Sequence, residues 1–293
     1  MENTQQDEND NEIVKEEINL QFHWYMGLFF IIYFGSFIIP AIILMLYIML
    51  FYLPYFLGQM NFILLFTRLE PLLASIFLPL IIIICYLVHV FFMSLITRII
   101  WRTTERISPS KDGIIPRNIP SKTANYYHIR SFVIKYPKNS IVRGPFPWLI
   151  NYLYNFIGVN KIGKGSTLEE NVGADRFITI GKNCYFGIGG AISSHAVEGI
   201  FGNISYFRVK IGDNVTAGAF NCVGPGSEVN DNSWLLPMSG ATKFNILKGD
   251  NYYFGAPLRR IFKKKVMEYL DISEADFNKA EELKEKNKEE NVG

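Results

Sequence analysis

Cysteine, histidine and evenly spread charge are all scarce in this 293-residue sequence. The three cysteines, Cys85, Cys184 and Cys222, are an odd number at unrelated spacings with no CxxC pair, which excludes a disulfide framework and a zinc ribbon. The four histidines do not accompany the cysteines at metal-ligand spacing, so no metal is expected. Neither a GxGxxG nor a Walker-type loop occurs, and the nucleotide sites built on them drop out. Lys+Arg 29 against Asp+Glu 27 leave a formal charge of +2, too balanced for a nucleic-acid partner. What charge there is avoids one region: the 36 residues Phe22–Leu57 hold no Asp, Glu, Lys or Arg. A soluble single-domain protein is thereby excluded.

Crossing the hydrocarbon layer takes about 20 apolar residues, and Trp24–Phe56 exceeds that, with Trp24, Tyr25, Tyr52 and Tyr55 near its ends, where aromatic rings suit the two interfaces. A second uncharged run, Leu72–Ile96, follows a connection holding Asn61, Arg68 and Glu70. Residues 22–107 therefore read as a two-helix membrane hairpin, with kinks at Pro40, Pro54 and Pro79. Residues 1–20 hold seven acids and one Lys, the reverse of a signal peptide's basic start. Residues 1–21 are expected to be an uncleaved, disordered acidic tail. Arg98, Arg102, Arg106, Lys111, Arg117 and Lys122 follow the second span, against Arg68 alone in the connection. That asymmetry places the N-terminus and the large C-terminal part in the cytoplasm. His89 has no carboxylate within its span, so a packing role is expected rather than a proton relay.

Residues 108–160 read as a connector that packs on the domain after it. Six prolines punctuate Ser108–Trp148, Tyr126–Ile129 and Phe132–Ile134 look like short extended pieces, and Asn151–Gly158 like a short helix.

From Ile162 a different order begins. Apolar residues recur every six positions at Ile162, Leu168, Ala174, Ile180, Phe186 and Ile192, then, after one jump of register, at Ile211, Ala217, Val223, Val229, Leu235 and Ala241. Six fits neither a helix nor a plain strand, but it fits an all-β solenoid with three short faces per coil and one inward side chain per face. Each block supplies about two coils, so 161–262 should hold about four, or five if Leu247 and Tyr253 continue the series. Parallel crossovers are as a rule right-handed, and the period alone does not give the hand of this coil. In 263–293 a charged C-terminal helix or tail is expected, with Ser273 as N-cap, Asp276 at the third position, and a solvated or disordered end from Ala280. For Lys263, Lys264 and Lys265 a plain charged end is preferred over contact with lipid headgroups.

IGKGST, IGKNCY, IGDNVT and the closing FGAPLRR resemble the hexapeptide-repeat acyltransferases, whose left-handed parallel β-helix commonly ends in a G-x-P-x-R type segment. The longer succession RGPFPWLINYLYNFIGVNKIGKG, DRFITIGKN, SSHAVEG and VKIGDNVTAGAFNCVGPGSEVNDNSWLLPMS resembles the terminal-domain family of non-ribosomal peptide synthetases typified by ε-poly-lysine synthetase, in which pairs of membrane helices alternate with such modules. The resemblance implies a left-handed β-helix, a homotrimer, and an acyl-CoA, acetyl-CoA above all, lying along the coils where two subunits meet. The acceptor would be a small molecule or membrane-borne. It also implies a His as general base on the acceptor hydroxyl or amine. The module's one histidine is His195, at the register break, and an imidazole titrating near 6.5 suits that task.

For that chemistry Glu198 is the candidate to fix the tautomer, Gly218 and Ala219 to offer an N–H to the oxyanion, Asn221 to orient the acceptor, and Lys243, Lys248, Arg259 and Arg260 to meet the phosphates of CoA. The plain reading is preferred for Asn221, as a repeat position that ladders with its neighbours, and for the cations, as a solvated or lipid-facing edge. The synthetase's adenylation and carrier domains are absent from this sequence, which favours a free acyl donor over amide-bond formation on an aminoacyl donor. A zinc hydratase on the same fold needs several histidines and is rejected. A non-catalytic membrane scaffold remains as the third class.

Overall fold

The computed structural model describes residues 22–59, 61–117, 119, 121–169, 176–198, 202–270, 273–275, 277–279 and 281–282. The expected acidic tail over 1–21, the repeat position Ala174, Asp276 and the end beyond 282 lie outside the described residues.

Helix α1, Phe22–Tyr47, runs on through a wider π-wound stretch, Ile48–Leu57, that contains Pro54. Proline removes one rung of the helix ladder and crowds the carbonyl four residues back, and widened winding is one way a helix absorbs that. A short α2, Phe62–Thr67, starts on Asn61, whose Oδ1 accepts the Ile63 N–H at 3.0 Å. Helix α3 then runs Leu69–Ile107. The two long elements, of 36 and 39 residues, are each long and apolar enough to cross a membrane. Their contacts run in opposite senses, with Gly35 against Ile96, Phe37 on His89, Pro40 at Cys85 and Tyr47 bonded to the Ala74 carbonyl, so they form an antiparallel pair. A Cβ on Gly35 would come within 2.9 Å of the Ile96 side chain, which is why glycine suits this crossing.

The connector departs from the expectation of extended pieces. After β1, Gly113–Pro116, come α4, Lys122–Val133, and α5, Lys135–Val142. Ser121 starts α4 by accepting the Ala124 N–H on Oγ at 3.1 Å. Pro137 falls in the first turn of α5, where a missing N–H is tolerated. Aromatic and branched residues suggested strands, but the buried positions of α4 are Ala124, Tyr127, Arg130 and Val133, three apart and on one helical face. Helix α6, Ile150–Ile157, ends at Gly158 in the left-handed conformation, φ 89°. It buries Ile150, Leu153, Tyr154 and Ile157, and its Asn155 both accepts from Ile162 N–H at 2.8 Å and donates to the Ile162 carbonyl at 2.9 Å. The first coil's open edge is thus paired with a side chain of the capping helix.

The solenoid comes next, in coils: β2 (Lys161–Ile162) and β3 (Thr167–Leu168); β4 (Ile178–Ile180), β5 (Tyr185–Phe186) and β6 (Ala191–Ile192). An excursion, β7 (His195–Glu198) and β8 (Asn203–Tyr206), precedes β9 (Val209–Ile211), β10 (Thr216–Ala217) and β11 (Cys222–Val223). Then come β12 (Glu228–Val229), β13 (Trp234–Leu235), β14 (Gly240–Ala241), β15 (Ile246–Leu247) and β16 (Tyr252–Phe254). The faces are parallel ladders in the orders β15-β12-β9-β4-β2, β16-β13-β10-β5-β3 and β14-β11-β6. Every six-residue repeat position that is described is buried, Leu247 and Tyr253 included. One corner repeats a left-handed turn at Asn183, Asn214, Asn232 and Asp250, φ 53–58°, a region Asn and Asp tolerate best after Gly. There Asn214 donates to Asn232 at 3.2 Å and Asn232 to Asp250 at 3.0 Å.

A strand β17, Arg259–Ile261, folds back antiparallel on β16, and α7, Lys263–Leu270, succeeds it. Beyond it, Phe277 and Glu281 are docked on the solenoid. Phe277 is buried against Tyr252, and the Tyr252 hydroxyl donates to Glu281 at 2.8 Å.

One apolar cluster runs from Ile32, Met93 and Trp101 of the long helices through Leu153 and Ile157 to the solenoid column. Ile211 lies inside that column at 3% exposure, whereas Ile246 is 69% exposed. Ile211→Val should therefore cost about 0.5–1.5 kcal/mol and Ile246→Val within about 0.5 kcal/mol, read by denaturant unfolding of the full chain. Equal costs would contradict the inward assignment.

Candidate active site

The register break between Ile192 and Ile211 is a β-hairpin that leaves the solenoid. β7 pairs antiparallel with β8, and β1 joins the other edge of β8. His195 opens β7 opposite Tyr206. Ser193 Oγ donates to the His195 carbonyl at 2.8 Å, which commits its one hydrogen. It accordingly accepts from the His195 backbone N–H at 3.3 Å and, at 3.2 Å, from the imidazole Nδ1–H. This tautomer is assigned from the hydrogen-bond network: the proton sits on Nδ1 and Nε2 carries the lone pair.

A ring packs on this imidazole, and a second ring and a buried cation pack on the first. Tyr127 of α4 meets it edge-on, centroids 6.0 Å apart, and meets Tyr206 at 5.3 Å. The Arg176 guanidinium, 1% exposed, lies 4.2 Å over the Tyr127 ring and 5.5 Å from that of Tyr206. Ser194 Oγ bonds the Arg176 carbonyl, tying the hairpin's root to the preceding coil. The extended reading of the connector hid Tyr127, because only a helix brings it to this place. Arg176 carried a signal that went unused: a charge directly before a buried strand.

His128, next to Tyr127, is held below its ordinary value of 6.5, by burial first and then by Arg117 and Arg176. Its neutral form is the one the fold accepts, while the unfolded chain takes up a proton near 6.5. Stability is thus complete above pH 6.5 and declines as pH falls from there toward the lowered value. A His128→Asn variant should show less loss of melting temperature between about pH 7.5 and about pH 5.5 than the wild type. An identical loss in both would contradict the assignment.

The other sequence-derived residues do not all gather here. Glu198 is not the partner of His195: alternation along β7 turns it to the opposite face, where its Oε1 accepts from Ser205 Oγ at 2.9 Å and from the Lys243 ammonium. Lys243 and Ser205 hold that carboxyl below its usual range. Lys243 also donates to Ser205 at 2.5 Å, so it braces the hairpin rather than offering a phosphate contact. Gly218 gives its N–H to the Leu235 carbonyl at 2.9 Å and has none for an oxyanion. The Ala219 N–H makes no hydrogen bond to another described residue. Asn221 is 4% exposed, donates to the Gly218 carbonyl at 2.7 Å and accepts from Ser239 N–H at 3.0 Å. It joins successive coils instead of facing an acceptor, as a polar residue on an inward corner must. Lys248, Arg259 and Arg260 are exposed at the far end of the solenoid. His195 lines none of four cavities of 760, 560, 400 and 300 Å³; its neighbour Tyr206 lines the last.

No family model matches the chain, and no curated protein matches it. Among solved structures, a hexapeptide-repeat-containing acetyltransferase from Vibrio cholerae is 21% identical with a TM-score of 0.32, covering 36% of this chain and 64% of its own. A galactoside acetyltransferase in complex with coenzyme A is 25% identical, TM-score 0.29, covering 36% and 56%. A maltose O-acetyltransferase from Clostridium difficile 630 is 18% identical, TM-score 0.29, covering 58% and 87%. The chain spans less than two thirds of the length of the first two.

Proposed function

We propose that this chain is a membrane-anchored acyltransferase, by preference an acetyltransferase, that moves an acyl group from acyl-CoA to a hydroxyl or amine with His195 as general base. The observation that carries the reading is the Ser193–His195 arrangement, which assigns the proton to Nδ1 and so puts the lone pair a general base uses on Nε2. The acceptor oxygen or nitrogen then attacks the thioester carbonyl. As the new ester or amide forms, the C–S bond breaks and the thiolate leaves with the proton returned by the imidazolium. Of the two candidates for the oxyanion, Ala219 is the one whose N–H is not engaged by a described residue.

The solenoid is read as left-handed, as the sequence resemblance implies. The likeness to synthetase terminal domains keeps an aminoacyl thioester as the alternative donor. A homotrimer is favoured by Phe220 and Met238, which stand 64% and 74% exposed in successive coils at left-handed turns of φ 56° and 60°. Bulky side chains are uncommon there, and an outward apolar ridge fits a face covered by another subunit. The two long apolar helices are read as spans, with Arg98, Arg102 and Arg106 at the end of α3 keeping the solenoid in the cytoplasm.

A rival scaffold reading has one observation in its favour, that His195 lines none of the four cavities. The two part company in a thiol-release assay on the full chain, with acetyl-CoA and an aminoacyl thioester in parallel arms. Release from acetyl-CoA supports acyl transfer, release from the aminoacyl donor alone selects the alternative, and binding of neither leaves the scaffold.

A further inference from the structure

We infer a phospholipid site where the uncharged run of α3 ends: an apolar cavity between α3 and α6 holds one acyl chain, and Arg98 meets the headgroup phosphate. The inference rests on reading α3 as a membrane span and is independent of the acyl-transfer reading. The cavity has a volume of about 560 Å³, within the range of ligand sites. Leu87, Val90, Phe91 and Ser94 of α3 line it together with Leu153 and Phe156 of α6.

The polar groups of the lining are already engaged. Ser94 Oγ donates to the Val90 carbonyl at 2.6 Å, and the Asn155 side chain is bonded to both backbone groups of Ile162. Apart from the Tyr152 hydroxyl, the remaining lining side chains are aliphatic or aromatic carbon. The spacing of 87, 90, 91 and 94 puts these residues on one face of α3, inside the uncharged run Leu72–Ile96. At that depth the neighbour of a spanning helix is acyl chain rather than water, and a chain enters such a cavity without leaving a polar group unpaired.

The same face continues into Arg98, about one turn past Ser94, where the uncharged run has ended. Its Nη1 donates to the Phe156 carbonyl at 2.7 Å, and its guanidinium carbon lies 4.5 Å from the centroid of the Phe156 ring. The cation is thus fixed beside the part of the cavity that Phe156 lines. Arg98 forms no ion pair among the described residues, and a planar guanidinium fork matches the oxygens of a phosphate. Tyr152 on the lining and Trp148 in the turn before α6 are exposed rings, the residue types that sit at headgroup level. Apolar cavity, then amphipathic rings and a cation, is the order in which a phospholipid presents its chain and its phosphate.

The test adds dioleoyl phosphatidylglycerol to the detergent-solubilised full chain and counts the lipids bound per chain by native mass spectrometry. Dioleoylglycerol, with the chains and no phosphate, and glycerophosphoglycerol, with the phosphate and no chains, are the parallel arms. The wild type should bind one phosphatidylglycerol saturably, the glyceride more weakly, and glycerophosphoglycerol not at all. Leu87 and Phe91 are exposed, so the double variant Leu87→Trp, Phe91→Trp should keep its melting temperature, fill the cavity and lose about tenfold or more in affinity for both lipids. Arg98→Gln should lose about fivefold for phosphatidylglycerol, one basic residue's worth at a headgroup, and nothing for dioleoylglycerol. No saturable phosphatidylglycerol, undiminished binding by the double variant, or an equal loss of both lipids in Arg98→Gln overturns the site. So does an oligomer, found in place of bound lipid, that the double variant no longer forms, since it gives the cavity to a second copy of the chain. Flotation with liposomes tests the span separately: a chain that does not float contradicts the span reading, and one that floats without saturable lipid contradicts the site alone.

Discussion

Replacing His195 by Ala should lower kcat/KM for acyl transfer by about 10²–10⁴-fold, the usual worth of a positioned general base, while the affinity for the acyl donor stays unchanged. The expectation rests on Nε2 being the unprotonated nitrogen, set by the single hydrogen of Ser193 Oγ pointing to the His195 carbonyl. Ser193→Ala should lower kcat less than His195→Ala does and leave donor affinity intact, because it frees the tautomer without removing the base. Glu198→Gln should leave kcat near that of the wild type, since that carboxylate belongs to Lys243 and Ser205 on the other face of the strand. The three variants, compared by initial rates of thiol release, separate these roles. A large loss for Glu198→Gln with none for Ser193→Ala would reverse the assignment.

Arg130→Ala should cost about 3 kcal/mol, the lower end of what breaking a buried ion pair costs, because Glu105 is itself 29% exposed. The guanidinium braces the end of α3 through the carbonyls of Ser108 and of Thr104, the second of which also accepts the Ser108 N–H at 2.9 Å. Removing it takes the Ser108 carbonyl's side-chain donor and the cation beside Glu105, whose carboxylate then keeps only the Ser110 N–H and hydroxyl. Arg130→Lys keeps the charge but not the fork that reaches three acceptors at once, and should recover part of the loss. The midpoint of denaturant unfolding of the full chain is the readout, and an unchanged midpoint for Arg130→Ala would contradict the contact. Because α4 also carries Tyr127, which packs on His195, the same junction couples the end of the long helices to the candidate site.

The solenoid was legible because its core depends on one repeating inward residue: Ile180, Ile211 and Val229 stack on the same face with nothing but periodicity needed to identify them. The register jump was legible too, as an interruption of that periodicity, and it coincides with the hairpin β7–β8. The connector was not. Its aromatic and branched residues favour strands locally, but no parallel partner exists for Tyr126–Ile134 among the described residues, while a face spaced by three has α1 and α3 to pack on, as Tyr25 on Phe132 shows at 5.1 Å. The rest of the site stayed hidden for the same reason, since Tyr127 and Arg176 reach His195 only through that packing. Glu198 misled because nearness in sequence is not nearness in space on a strand, where every second side chain changes face. Phe277 shows the converse, one aromatic in a charged segment packing on Tyr252, whose hydroxyl also donates to Glu281.

The most direct measurement is a structure of the full chain with coenzyme A bound. The thiol should lie within about 3–4 Å of His195 Nε2, the reach a proton transfer requires, with Ser193 still on Nδ1. A bound thiol remote from that imidazole, or a His195 ring whose Nδ1 has left Ser193 when the donor is in place, would contradict the assignment of His195 as the base.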